Sequence, residues 1–77
     1  MVADPKHLPI KSPVAELTHE GTRTRVTFTR LASIYYLEDA HPEHARILAA
    51  LEASRASGEP VALTYSLPEK LLTGLGA

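Results

Sequence analysis

TRTRVTFTR, running from Thr22 to Arg30, is the stretch on which the fold turns. It alternates and is rich in β-branched residues, which is the pattern of a half-buried strand. Thr24, Val26 and Phe28 share one face and are expected in the core. Arg23, Arg25, Thr27 and Thr29 share the other. Upstream, VAELTH from Val14 to His19 reads as a shorter strand. Glu20-Gly21 then supplies a tight turn, since glycine adopts positive φ without a Cβ clash. Downstream, LASIYYLE from Leu31 to Glu38 reads as a third strand whose phase stays open. Either Ile34 and Tyr36 point inward, or Leu31, Tyr35 and Leu37 do.

The period then changes. Pro42 fits the first position of a helix, with Glu43 in its positive first turn and Asp39 just upstream. HARILAALEASRAS follows at helical spacing, and Gly58 stands where a left-handed C-terminal residue belongs. Ile47, Leu48 and Leu51 cluster on one side, with His44 and Arg55 at its edge, and that side must pack on the sheet. Beyond Pro60, VALTYSL alternates with Val61, Leu63, Tyr65 and Leu67 inward. Pro68-Glu69 makes a turn, and KLLTGLGA forms either a short last strand or a fraying tail. Residues 1–13, with Pro5, Pro9 and Pro13, read as an extended arm, for which a flexible tail is the plainer account. Residues 14–77 read as one globular domain.

The fold class expected is therefore α+β, mainly β, in the order β-β-β-α-β-β with one helix. An open sheet with the helix across one face satisfies the same pattern. In element order and length, Val14 to about Leu75 resembles the OB-fold superfamily, a five-stranded Greek-key barrel with its helix between strands three and four. No sequence motif specific to one OB family accompanies that resemblance. It implies a ligand face on strands two and three, which falls on Arg23, Arg25, Thr27 and Thr29 with Tyr35 or Tyr36 nearby. The superfamily includes bacterial toxin B-subunits that form pentameric rings. This chain departs from them in lacking cysteine and a visible signal, so the resemblance carries the assembling habit and nothing of toxicity.

Length and composition set bounds. A chain of 77 residues holds one domain, and at this size only about 60% of the unfolded surface is buried on folding. Partner subunits are the natural supplement, so a homo-oligomer is expected. With no cysteine, disulfides and thiolate zinc clusters are excluded. A net charge of -1 lacks the positive excess of a general polyanion binder. No run approaches the roughly eighteen apolar residues of a membrane span. Neither signal-peptide core nor cysteine is visible, and the expected compartment is the cytoplasm.

Four groups of residues are candidates for function. The alternating arginines suit phosphates, with Tyr35 as a stacking platform, and single-stranded nucleic acid is thus the alternative ligand. A solvated sheet face accounts for the same residues. His41 and His44 are three apart and could share a metal ion; a cap residue and a partly covered side chain are the mundane explanation. No metal and no cofactor is assigned. No nucleophile elbow, phosphate loop or H-E-x-x-H occurs, so the chain is not expected to be an enzyme. On the helix, Ala45, Ala49, Ala53 and Ala56 form a stripe bordered by Arg46 and Glu52. Such a stripe admits a second helix closely, though alanine is also simply the best helix former. The function expected is a non-catalytic binding or assembly module.

Overall fold

The computed structural model describes residues 8–76. Six strands and one helix follow one another: β1 (Leu8–Ser12), β2 (Val14–Glu20), β3 (Arg23–Phe28), β4 (Leu31–Glu38), α1 (His44–Ser57), β5 (Val61–Ser66) and β6 (Leu71–Leu75). They form one mixed sheet in the order β1-β5-β6-β4-β3-β2, which is not closed on itself. Every pairing is antiparallel except β4 with β6. The class is α+β, mainly β, as the sequence predicts.

The strand count is a correction. Five strands are expected from the pattern, and β1 makes a sixth from the segment read as an arm. Its proline and lysine hide the alternation, yet Ile10 and Ser12 are buried while Pro9 and Lys11 are exposed. Proline is tolerated here because β1 is an edge strand, where a missing donor breaks no second ladder. Residues 1–7, including Pro5 and His7, lie outside the described residues.

Gly21 turns β2 into β3 at φ 64°, and Glu20 and Arg23 face each other across the turn. On β3, Thr24, Val26 and Phe28 are buried as expected. Register then decides the phase of β4. Val26 pairs with Tyr35 and Thr24 with Leu37, and partners across an antiparallel ladder share a face. Tyr35 and Leu37 therefore point inward, and Ile34 and Tyr36 point outward. Leu31 departs from this set, because an irregularity between Thr27 and Phe28 shifts the ladder and leaves Leu31 exposed. Leu67 is exposed too, since β5 ends at Ser66.

The helix starts at His44, two residues later than Pro42 suggests, and Glu43 occupies its N-cap position without a side-chain cap bond. Gly58 ends it at φ 79°, donating to the Ser54 carbonyl at 2.8 Å. Ile47 and Leu51 are fully buried, whereas Leu48 is half-buried. Ser54 is a buried polar residue on that same side. Its hydroxyl accepts the Val14 N–H at 3.1 Å and donates to the Glu59 carbonyl. Helix and sheet are thereby joined by a bond that leaves no polar group orphaned. The core draws on every element, with Ile10, Val14, Leu63 and Leu72 completing it. Among the described residues, no helix is long and apolar enough to cross a membrane.

Candidate functional site

The outward face of β3 carries Arg23, Arg25 and Thr27 as expected. Register surrounds them with carboxylates: Arg23 stands between Glu20 and Glu38, and Thr27 faces Glu16. Arg25 Nε lies 3.4 Å from Glu20 Oε2. Arg23 lies over the Tyr36 ring at 3.9 Å from its centroid, a stacked cation–π arrangement. Thr29 falls outside the strand, where its N–H donates to the Pro13 carbonyl at 3.0 Å. This face presents two arginines among three glutamates and is not a positive patch.

Tyr35 is a correction. It is 5% exposed and cannot serve as a stacking platform. Its ring meets Phe28 edge-on at 5.4 Å and Tyr65 at 5.0 Å. Burial, and after it the neighbouring Tyr65, pushes its phenol up from the ordinary value. The sign follows from linkage. The contribution of the neutral phenol is complete below the unfolded value of about 10 and is lost as pH rises through the higher folded value. Urea midpoints of the parent are thus expected to fall above about pH 10. Tyr35→Phe is expected to show a smaller fall over the same range. Equal losses in both proteins would show that another group is responsible.

On α1 the stripe Ala45, Ala49, Ala53 and Ala56 is exposed along its whole length, as are Arg46 and Glu52. Arg46 Nη1 lies 3.9 Å from Glu43 Oε2, an exposed pair worth little.

His41 and His44 do not converge on one point. His41 Nδ1 accepts the Glu43 N–H at 2.9 Å, and its Nε2 meets the Thr73 carbonyl at 3.0 Å. Its ring is committed to those two bonds. His44 instead aims Nε2 at Asp39 Oδ1, 3.5 Å away, where that nitrogen is shut off from solvent and has no hydrogen bond. The other Asp39 oxygen lies 2.8 Å from His19 Nε2. Among the described residues, no three potential ligands gather closely enough to hold a metal ion.

His19, Asp39 and His44 form one end of a cleft between β2 and α1, about 400 Å³ in volume. Leu17 and Leu48 supply its apolar walls, and Glu52 and Arg55 stand further along the helix. A cleft of this size with a few polar groups falls within the range of small-ligand sites. Nothing in the local sequence marks this grouping, because His19 and Asp39 are 20 residues apart. What brings it together is a bond from the Asp39 N–H to the Thr22 carbonyl at 2.9 Å, which ties the end of β4 to the β2–β3 turn.

Comparison with protein families, with curated proteins and with solved structures finds no match to this chain.

Proposed function

We propose that the chain is a non-catalytic binding and assembly module on an OB-like barrel, and that it works as a homo-oligomer joined through α1. The barrel reading is supported by the junction at Pro13. It alone separates β1 from β2, so residues 8–20 read as one bent strand whose halves pair with β5 and β3. That arrangement makes the two edge strands consecutive in the chain, the connection a closed barrel would use. The helix lies between the third and fourth strands of the five that remain, as the resemblance implies.

The observation that carries the assembly reading is the symmetry of the exposed helix face about Ala49. Arg46 and Glu52 lie three residues to either side, and Ala45 and Ala53 lie four. Two antiparallel copies crossing at Ala49 bring Arg46 of each level with Glu52 of the other, on opposite flanks, with alanine against alanine between them. The pattern is self-complementary, as a two-fold interface requires. Small residues allow the axes to approach to about 8 Å. The sheet edges offer no such route. Pro9 and Lys11 lie on β1, and Glu16 and Glu20 on β2, the residue types that block strand addition. Light scattering tests the reading, and a strictly monomeric mass at millimolar concentration would defeat it.

The stack of Arg23 on Tyr36 favours a second reading, a single-stranded nucleic-acid face on β3 and β4. Under it, replacing Arg23 and Arg25 by serine keeps the melting temperature and makes the salt slope of oligonucleotide affinity shallower by about two units. Absence of binding by the parent at low salt, where such binding is strongest, removes this reading.

A further inference from the structure

The three described histidines all meet at the segment 39–44 that joins β4 to α1. Their bonds make opposite demands on protonation. His41 Nδ1 accepts the Glu43 N–H, so that nitrogen carries no proton and Nε2 is the one that donates to Thr73. The His41 carbonyl also accepts the His44 N–H at 3.0 Å. One residue thus satisfies two donors at a helix start that has no other side-chain cap. A proton added to Nδ1 would point at the Glu43 N–H and break that bond. His19 and His44 stand in the reverse situation. Each faces an oxygen of Asp39, and a proton on either ring turns its approach into an ion pair. For His44 this also offsets the cost of a cation at a helix N-terminus.

The other charged groups around these rings leave that balance in place. On β2, Glu20 is turned toward Arg25. On α1, Glu52 and Arg55 share the cleft with His19 and His44 and bring one charge of each sign. Glu43, next to His41, lies 3.9 Å from Arg46. Glu38 of β4 accepts the His41 N–H through its carbonyl, and β6 presents the Thr73 carbonyl.

We propose that the β4–α1 link is a histidine-operated pH latch. With neutral imidazoles the helix start is held through the His41 bond to the Glu43 N–H, while the His41 bond to the Thr73 carbonyl of β6 is kept in both states. With protonated imidazoles the link is held through Asp39 to His19 on β2 and His44 on α1. Imidazole is the side chain that ordinarily gains a proton between roughly pH 8 and pH 5, the range over which the test is made. The latch concerns how the helix start is anchored and does not depend on what the helix face contacts.

Amide hydrogen exchange of the full chain by NMR, with imidazole nitrogen shifts recorded alongside, tests it. Protection at Glu43, taken relative to Val26, is expected to fall about tenfold from pH 8 to pH 5, the loss of one ordinary hydrogen bond. Its midpoint is expected to follow the titration of His41. His41→Asn keeps a side-chain oxygen that can accept from residue 43 and does not titrate, so protection there is expected to stay flat. Asp39→Asn is expected to remove the slowly exchanging ring protons of His19 and His44 that appear at pH 5 in the parent. Flat protection in the parent, or a midpoint apart from that of His41, overturns the proposal. So does an unchanged fall in His41→Asn, or ring protons that persist in Asp39→Asn. If either variant fails to fold, the parent titration alone decides.

Discussion

Phe28→Ala is expected to destabilise the domain by about 3–5 kcal/mol, the usual cost of removing a buried aromatic. Phe28 is 4% exposed and is opposed by Val14 on one side. Its edge also meets the Tyr35 ring. Truncation would open a cavity against both, and the T-shaped contact is lost with it. Whole-domain stability starts at about 5 kcal/mol, so a chain of this size has little reserve. The measurement is a thermal melt with a urea titration on parent and variant. Loss of a cooperative transition near room temperature is the expected result. A melting point within a few degrees of the parent would mean that Phe28 is not packed as the structure has it.

Ala49→Glu is expected to halve the solution mass of a dimer and to lower its melting point. At the crossing of two alanine faces only a methyl group fits. Burying an unpaired carboxylate there costs several kcal/mol, with its size adding to its charge. If residue 49 faces water in the working protein, glutamate is a good helix former and the change costs a few tenths of a kcal/mol. The two outcomes are separated by roughly an order of magnitude. Light scattering and melting curves at two protein concentrations distinguish them. An unchanged mass in an oligomeric parent would move the interface away from α1.

Most of the secondary structure is legible in the sequence, because alternation and helical spacing are local properties. The β3 face, the run of α1 and the Gly58 cap all follow from neighbouring residues. What escapes is whatever depends on a distant partner. LASIYYLE has apolar residues on both faces, and only the pairing of Val26 with Tyr35 selects one. That selection takes Tyr35 off the surface and leaves Tyr36 under Arg23. β1 escapes because its alternation is carried by Ile10 and Ser12 around Pro9 and Lys11, and a strand partner in β5 is needed to reveal it. Ser54 reads as an ordinary helix residue until the Val14 N–H arrives beside it. The cleft is the same case: His19 and Asp39 are 20 residues apart and meet through a backbone bond at Thr22. The exposed residues of the alanine stripe are legible, while their role depends on a second chain.

The junction at Pro13 also sets an order of events. Val14 pairs with Phe28, but Leu8 pairs with Tyr65, so one continuous run belongs both to the most local ladder and to the most distant one. The entropy of closing a loop grows with its length, and long-range strand pairing is correspondingly slow. On a ribosome, β2 and β3 can zip together while β5 is still unmade. Through that interval β1 must wait as a bare strand with Ile10 uncovered, the kind of segment through which nascent chains adhere to one another. Pro9 and Lys11 flank that isoleucine. They guard the chain during the wait as well as the finished edge.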